Sequence, residues 1–160
     1  MKLSLIKFNE EDLIVYQDWL KNMNAKKYLF QFYPKHYCKG KDVQNPDYYL
    51  WFIIQADMTD VGTIWLEKTE LKEKTIRLGI VLGDERLFNR KIGRSAIALA
   101  LAEAKKREDI SSVQLHVRSN NPRAIHCYRH FGFQIVKRGI KLNRRFQLIR
   151  FYRMALNLIT

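Results

Sequence analysis

The sequence predicts an α/β fold: a single domain with a mixed, mostly antiparallel β-sheet, a central parallel β-α-β unit and helices on both faces. Its 160 residues, 47% of them hydrophobic, are enough to bury the core of one such domain. Apolar stretches of strand length alternate with helix-forming stretches along the chain. A strand, an alanine-rich helix and a second strand follow one another over about 75–118, and such a unit is expected to be parallel and right-handed.

The first half of the chain predicts one long helix and four strands. Residues 3–8, "LSLIKF", alternate like a strand. Asn9 is expected to cap a helix whose first turn is acidic, because negative charge suits the N-terminal end of the helix dipole. Residues 24–46 are aromatic and basic and predict a short helix and a loop. Three strands are then expected, near 49–56, 61–68 and 75–82.

The second half predicts two helices and three strands. Its alanine-rich stretch is made of strong helix formers and predicts a helix over about 92–107. A strand near 113–118, a short helix over about 122–131 and strands near 133–140 and 145–156 complete the chain. The element order is therefore β-α-β-β-β-α-β-α-β-β. The sequence contains no internal repeat and no Gly/Ser linker, so one domain is expected over residues 1–160.

The net charge of +13 is unevenly distributed along the chain. No acidic residue follows Asp109. Ten basic residues do: Arg118, Arg123, Arg129, Lys137, Arg138, Lys141, Arg144, Arg145, Arg150 and Arg153. Such a block suggests an anionic ligand or partner, for which RNA or the ribosome is a candidate, and an ordinary basic surface is the alternative.

Cysteine content and hydropathy favour a cytoplasmic protein. The two cysteines, Cys38 and Cys127, do not have the spacing of a metal site, so a reducing compartment is expected. The apolar stretch 48–54 is strand-sized, and no stretch approaches the length of a membrane span. Acidic residues at 10–12 interrupt any signal-peptide core. We therefore expect no membrane association.

The stretch "RKIGRS", residues 90–95, opens the alanine-rich helix with a glycine-containing loop. Free N–H groups and the positive end of the helix dipole attract a phosphate at such a position. Arg90, Lys91 and Arg94 add positive side chains around Gly93. The stretch is consistent with a phosphate site, although a motif this short is not specific.

Gly79 interrupts the strand near 75–82, within "IRLGIVL". A glycine inside a strand marks a bulge or the close approach of a ligand to the backbone. The alternative is that it makes room for a neighbouring side chain. The sequence leaves both open.

Two longer stretches resemble the GNAT N-acetyltransferase superfamily. Its pattern is a strand with a Gly, a loop of the form Arg/Gln-x-x-Gly-x-Gly/Ala opening a helix, another strand, Asn-x-x-Ala-x-x-x-Tyr on a short helix, and Gly-Phe. The chain reads "LGIVLGDERLFNRKIGRSAIALAL" and then "LHVRSNNPRAIHCYRHFGF". The second stretch has these residues in register: Asn121, Ala124, Tyr128, Gly132 and Phe133. The opening "LIKFNEEDLIVYQDWLKN" resembles the ribosomal-protein-alanine-acetyltransferase branch, so the likeness covers nearly the whole chain.

The resemblance implies the GNAT fold, with acetyl-CoA as the donor and no metal. The backbone of Val81, Leu82 and Gly83 would pair with the pantetheine arm where two parallel strands splay. Asn121 would contact the cofactor, and Tyr128 would approach its sulfur. The loop that would wrap the pyrophosphate comprises Phe88, Asn89, Arg90, Lys91, Ile92, Gly93 and Arg94.

Three residues of this loop depart from the family pattern. Phe88 replaces the usual Arg or Gln, Asn89 replaces a common Gly, and Lys91 stands where the first motif Gly is expected. Asn tolerates a positive φ better than most residues, whereas Lys does not. Either the loop bends differently, or Lys91 adopts ordinary dihedral angles and contributes its charge.

Acetyl transfer to an amine is helped by a general base and by a group that protonates the leaving sulfur. Many relatives place a Glu on the strand before the Asn motif, and His116 occupies that position here. An imidazole with a pKa near about 6.5 could take the proton directly or through water, and a purely packing histidine is the alternative. Glu67 is a second candidate base. Tyr128 is the expected general acid, and Cys127 is expected to point away from the site.

The sequence therefore predicts an acetyl-CoA-dependent N-acetyltransferase that acts by direct attack in a ternary complex. The acceptor is the primary amine of a protein N-terminus, a small amine or an amino sugar, and the sequence does not choose among them. The alternative is a non-catalytic module of the same fold that binds RNA or the ribosome through its basic C-terminal third. A homodimer is compatible with the sequence.

Overall fold

The computed structural model describes residues 1–88 and 90–159. They form a sheet of seven strands and three α-helices, in the predicted order. The elements are β1 (Leu3–Lys7), α1 (Asp12–Asn22), β2 (Tyr49–Ala56), β3 (Thr59–Glu67), β4 (Thr75–Leu82), α2 (Ile92–Lys105), β5 (Ser112–Arg118), α3 (Pro122–His130), β6 (Gln134–Leu142) and β7 (Leu148–Asn157). Two short 3-10 turns, Asn24–Tyr28 and Glu85–Leu87, lie between them.

The strands lie in the order β1-β2-β3-β4-β5-β7-β6, and every neighbouring pair is antiparallel except β4 and β5. The chain crosses from β4 to β5 through α2, as expected for a β-α-β unit. The parallel register covers three residue pairs, from Thr75 with Ser112 to Arg77 with Gln114. Beyond them β4 stays on β3 and β5 stays on β7, so the two strands part. The predicted α/β fold is confirmed.

Helices cover both faces of the sheet, as predicted. On one face, Tyr16 of α1 packs in a core that contains Trp51 and Trp65. On the other face, α2 and α3 share a core with Ile64 and Leu66. Successive side chains of a strand point to opposite faces, so Trp65 belongs to one core and its two neighbours in sequence belong to the other. No helix within the described ranges is long and apolar enough to cross a membrane.

The predicted cap at Asn9 is wrong. Helix α1 has Glu11 as its N-cap, with helical dihedral angles and no capping side chain. Instead, the Asn9 N–H donates to the Asp12 carboxylate at 2.7 Å, and the Asp12 N–H donates to the Asn9 carbonyl at 3.0 Å. The acidic first turn therefore holds the backbone that precedes it, and the expected roles of the two residues are reversed.

The last strand begins at Leu148, later than the predicted 145. The carboxamide oxygen of Asn143 accepts hydrogen bonds from the N–H groups of Arg145 and Gln147, at 2.8 and 3.0 Å. Asn favours such local bonds to the backbone that follows it, and they form a tight turn. The turn of the β6–β7 hairpin therefore includes residues 145–147, which the sequence analysis assigned to the strand.

Gly79 is explained by packing. It lies directly opposite Trp65 in the β3–β4 register. A Cβ at Gly79 would lie 2.2 Å from Cε2 and Cζ2 of the Trp65 indole, which is 1% exposed and cannot move aside. The glycine therefore lets a large aromatic side chain lie across β4.

We expect Gly79→Ala to lower the free energy of unfolding by about 1–3 kcal/mol, because an added methyl group overpacks the Trp65 side of the core. Denaturant unfolding of the variant and the wild type measures the difference. Gly93→Ala is the matched control, since a Cβ there would meet Cδ1 of Leu82 at an ordinary 3.9 Å. Equal stability of the two variants would contradict this explanation of Gly79.

Candidate active site

A cleft of about 390 Å³ opens where β4 and β5 part. Its walls come from these two strands, the loop before α2, the first turn of α2, α3 and residues 28–31. Most of the sequence-predicted site residues line it: Leu82, Phe88, Lys91, Gly93, Arg94, His116, Asn121 and Tyr128. The fold therefore brings the two motifs into one cavity.

The other predicted cofactor-binding residues are placed differently. Val81 and Ile92 are buried in the two cores, and Arg90 is exposed to solvent beside the cleft. Gly83 lies against the indole of Trp19. Asn89 lies outside the described residues.

The peptide groups of β4 alternate between its two edges. The Gly83 N–H donates to the Val61 carbonyl at 2.8 Å, so this group faces β3 rather than the cleft. Successive residues of an extended strand turn their peptide groups to opposite edges, which directs those of Ile80 and Leu82 toward the cleft. Ile80 lines the cleft and was missed by the sequence analysis, which named three consecutive residues where alternation selects every second one.

Lys91 has the backbone conformation that a glycine would adopt. Its φ and ψ are 63° and 6°, in the left-handed region, and it is the N-cap of α2. Of the two alternatives that the sequence left open for Lys91, ordinary dihedral angles are therefore excluded. The conformation costs a non-glycine residue about 1–2 kcal/mol. It places an exposed positive side chain at the start of α2, where the helix dipole already favours an anion.

Gly93 leaves open space in the wall of the cleft. Apart from the neighbouring residues and the backbone of α2 itself, the one described heavy atom that comes within 4 Å of an added Cβ is Cδ1 of Leu82, at 3.9 Å. A second molecule can therefore approach the backbone of α2 closely at this position. Together with the positive charges of Lys91 and Arg94, this space fits a phosphate group.

Arg123 lines the cleft, whereas the sequence analysis counted it only among the basic residues of the C-terminal third. Its guanidinium lies 3.5 Å from the centre of the Phe88 ring, a cation–π contact that joins α3 to the loop before α2. Arg123 therefore adds a positive charge from α3 to those of Lys91 and Arg94 in the wall of the cleft. Its place inside the Asn-x-x-Ala motif was the available signal.

Asn121 begins α3. Its carboxamide oxygen accepts a hydrogen bond from the Ala124 N–H at 3.3 Å, which makes it the N-cap, and Pro122 follows at the first helical position. The Asn121 side chain also lines the cleft. Its predicted contact with the cofactor stays a prediction, which the remaining N–H groups of the carboxamide permit.

Tyr128 and Cys127 both line the cleft, from positions more than one turn after the start of α3. Burial raises the pKa of Tyr128 well above its usual value of 10, so its hydroxyl keeps its proton at neutral pH. The expectation that Cys127 points away is wrong, because this half-buried thiol faces the same cavity. Burial also raises the pKa of Cys127, although the charges of Arg94 and Arg123 oppose the shift.

His116 lies on β5 with its ring stacked on Phe30, at 4.7 Å between ring centres. Burial, reinforced by the charges of Arg77, Arg153 and other nearby cations, lowers the pKa of His116 from 6.5 to about 4. Its Nδ1 is buried and lacks a hydrogen-bond partner among the described residues. At neutral pH this imidazole is uncharged, and it is a weaker base than the sequence suggested.

Glu67 does not line the cleft. It is 1% exposed, at the end of β3. One carboxylate oxygen accepts a hydrogen bond from the Gln31 carboxamide at 2.8 Å, and the other accepts one from the Lys35 N–H. The second candidate base therefore fastens the segment before β2 to the sheet. Within residues 1–88 and 90–159, no group of three His, Cys, Asp or Glu side chains is placed to hold a metal ion.

A protein-family model identifies the family to which the chain belongs. The model of the acetyltransferase (GNAT) family matches residues 13–133, which is more than half of the chain. The chain belongs to this family. The GNAT resemblance is confirmed, while the ribosomal-protein-alanine branch stays a prediction. No curated protein matches the sequence significantly.

Solved acetyltransferase structures are similar to the chain over nearly its whole length. A GNAT-family acetyltransferase from Streptococcus pneumoniae has a TM-score of 0.77 at 16% identity, over 98% of this chain and 100% of its own. The spermidine N-acetyltransferase from Vibrio cholerae, in complex with CoA and spermine, has a TM-score of 0.74 at 20% identity, over 97% and 95%. An aminoglycoside acetyltransferase in complex with coenzyme A has a TM-score of 0.76 at 13% identity, over 98% and 95%. At these identities the likeness shows a shared GNAT fold, and acetyl-CoA as co-substrate agrees with the family.

We expect Gly93→Val to weaken CoA binding by roughly tenfold or more, because its side chain is larger than the Gly or Ala of the family pattern and fills the space over α2. Thermal unfolding establishes that the variant is folded, since apart from the backbone of α2 itself the nearest described atom to a new Cβ is Cδ1 of Leu82, at 3.9 Å. Isothermal titration calorimetry with CoA measures the affinity. Ser95→Ala, at an exposed position of the same helix turn, is the control and should bind CoA like the wild type. Unchanged affinity in Gly93→Val would rule out close approach at this position.

We expect His116 to make the fold sensitive to acid. Its pKa is 6.5 in the unfolded chain and about 4 in the folded one, so the unfolded chain takes up this proton first as the pH falls. The stability linked to His116 is therefore complete above pH 6.5 and is lost as the pH falls from 6.5 toward 4.

His116→Gln should accordingly lose less melting temperature between pH 7 and pH 4.5 than the wild type does. His130→Gln, which removes an exposed histidine of α3, should follow the wild type. Thermal unfolding at the two pH values measures all three proteins. The same decline in all of them would show that the His116 pKa is not depressed.

Proposed function

We propose that the chain is an acetyl-CoA-dependent N-acetyltransferase that transfers an acetyl group to a primary amine by direct attack in a ternary complex. One observation carries the proposal: the open space over Gly93 and the buried hydroxyl of Tyr128 belong to the same cleft. That cleft offers a phosphate position and a proton donor together, as a CoA thioester requires. When bound, acetyl-CoA supplies the activated acetyl group, and residues of the chain bind it and manage the protons.

The donor end of the cleft is the start of α2. Lys91, Arg94 and Arg123 place three positive charges around the open space at Gly93. The N–H groups of the first helical turn and the helix dipole add to their attraction for phosphate oxygens. The peptide groups of Ile80 and Leu82, directed toward the cleft, are suited to hydrogen-bond the amides of a pantetheine arm.

Tyr128 is suited to act as the general acid. Its raised pKa keeps the hydroxyl protonated, so it can donate a proton to the sulfur atom as that atom leaves. Cys127 is poorly suited to act as a nucleophile, because its raised pKa leaves little thiolate at neutral pH. These two directions support direct attack by the amine rather than an acetylated enzyme.

The environment that lowers the pKa of His116 also lowers the pKa of an amine bound beside it. Burial and the charges of Arg77 and Arg153 disfavour a protonated imidazole at this place. The same conditions disfavour a protonated amine, whose ordinary pKa is about 10. The amine is then driven to lose its proton to water as it enters the cleft. His116, uncharged at neutral pH, accepts a hydrogen bond from the amine and orients it.

A second function is favoured by the surface of β6 and β7. Their hairpin exposes these basic side chains: Lys137, Arg138, Arg144, Arg145 and Arg150. An exposed basic ribbon supports binding to RNA or the ribosome, which counterion release would make steeply dependent on salt. This partner, a homodimer and a cytoplasmic location stay predictions.

We expect Tyr128→Phe to lower kcat by roughly 100-fold or more, because the hydroxyl acts mainly when charge develops on sulfur. The ring remains, so acetyl-CoA should stabilise the variant as it does the wild type. At 100 times its dissociation constant acetyl-CoA adds about 2.7 kcal/mol, a melting shift of roughly 5–10 °C. CoA release with a panel of amines measures the rate.

Tyr152→Phe is the control, since this β7 tyrosine lies outside the cleft and should keep the wild-type kcat. A wild-type rate in Tyr128→Phe would assign the proton donor elsewhere. Absence of any melting shift at millimolar acetyl-CoA in the wild type would remove the proposed function itself.

A further inference from the structure

The ionised side chains that line the cleft in the described part of the chain are all positive. Among the residues that line it in the described part of the chain, none is Asp or Glu. Arg77, Lys91, Arg94 and Arg123 are lining residues with positive side chains. The last three lie around the start of α2, where the proposed donor places its phosphates. Arg77 is on β4, outside that group, and the donor does not account for it.

Arg77 lies where the cleft opens between the strands. It forms the last parallel residue pair of β4 and β5, opposite Gln114, and its half-buried side chain lines the cavity. Burial is the largest cause of the lowered His116 pKa, and the positive charge of Arg77 is the next largest. Arg77 and His116 therefore flank the same part of the cleft, from the two strands that part there.

Among the described residues, no carboxylate forms an ion pair with Arg77. Glu67 is its neighbour across β3 and β4, but the Glu67 carboxylate accepts its hydrogen bonds from Gln31 and Lys35. The ion pairs formed within residues 1–88 and 90–159 involve other residues: Lys68 with Asp109, Arg86 with Asp84, Lys106 with Glu103, and Arg107 with Asp109. Arg77 is thus a lining cation without an ion-pair partner in the part of the chain that the structure describes.

Further cations surround this part of the cleft. Nζ of Lys141 lies 3.8 Å from the centre of the Phe30 ring, which stacks on His116. Arg153 is opposite His116 in the β5–β7 register, and its Nε is buried without a hydrogen-bond partner among the described residues. The His116 end of the cleft therefore has an excess of positive charge that no described group balances.

We infer that the acceptor is an amine that also carries a carboxylate or phosphate group, and that Arg77 binds this anionic group beside His116. The inference rests on the proposed acetyl transfer and specifies its acceptor. A guanidinium offers paired N–H donors that match the oxygens of either anion. A polyamine or another polycation would instead meet positive charge at both ends of the cleft.

An anionic group on the acceptor also offsets the repulsion between the cations of the cleft and a protonated amine. These cations favour the neutral, nucleophilic form of the bound amine, but they repel the amine while it is protonated. A carboxylate or phosphate on the same molecule restores attraction without restoring the proton. In the reaction the amine nitrogen bonds to the acetyl carbonyl carbon, the carbon–sulfur bond breaks, the amine proton passes to water, and the sulfur takes a proton from Tyr128, which water then replaces.

Matched pairs of amines test the inference through CoA release. Glucosamine 6-phosphate is compared with glucosamine, alanine with alaninamide, and spermidine serves as the polycation. We expect kcat/KM to favour the anionic member of at least one pair by about tenfold or more. Preference within the sugar pair identifies phosphate as the group recognised, and preference within the amino-acid pair identifies carboxylate.

Arg77→Gln should remove most of this preference: KM for the anionic member should rise by about tenfold or more, so that the ratio of kcat/KM between the anionic and the neutral member falls toward one. Arg145→Gln, which removes an exposed charge of the β6–β7 hairpin, is the control and should keep the preference. Lys141→Gln should reduce it partly, which provides a second variant should Arg77→Gln fold poorly. A melting curve for each variant establishes that it is folded.

Each result decides between the inference and the function on which it rests. Faster turnover of neutral amines or spermidine, or an unchanged preference in both Arg77→Gln and Lys141→Gln, would overturn the anionic acceptor and leave acetyl transfer standing. If no amine releases CoA, the melting shift caused by the anionic amines in the presence of CoA is measured instead. A shift that Arg77→Gln abolishes would support the anion site while removing the proposed function, and no shift in the wild type would overturn both.

Discussion

The short parallel contact between β4 and β5 is the constraint on which the site depends. Three residue pairs join the strands, after which each follows its other neighbour, β3 or β7. Peptide groups that face the resulting gap need partners, because buried N–H and C=O groups are rarely left unpaired. The cleft is therefore a sheet interrupted at its centre, where a bound molecule with amide groups can complete the hydrogen bonding.

Burial acts in opposite directions on the two groups proposed to handle hydrogen bonds and protons. It raises the pKa of Tyr128 and lowers the pKa of His116, so both side chains are uncharged at neutral pH. The charges that remain in the cleft are those of arginine and lysine side chains. In the proposed mechanism, proton transfer and electrostatic binding are thus divided between different residues, and no Asp or Glu is among the described residues that line the cleft.

The sequence predicted the elements and most of the residues that line the cleft beside α2 and α3, but not the contacts between distant segments. Strand alternation and helix formers are local properties, and the Asn-x-x-Ala-x-x-x-Tyr motif is a short pattern that one helix displays. The cation–π contact of Arg123 with Phe88 joins residues of different elements, and the low pKa of His116 depends on cations from neighbouring strands. The left-handed Lys91 contradicted local preference because the loop geometry overrides the cost of an unfavourable φ.

Glu67 attaches one segment of the cleft wall to the sheet independently of the loop before α2. Residues 80–94 and 121–128 line the proposed donor end of the cleft, whereas the lining residues 28–31 belong to a separate segment that Glu67 fastens to the sheet through Gln31 and Lys35. A change of sequence in that segment leaves the cofactor loop untouched, provided that its attachment to the buried carboxylate is kept. Divergence toward new acceptors can therefore proceed in one part of the chain while the residues proposed to bind the thioester are kept, and protein design can use the same division.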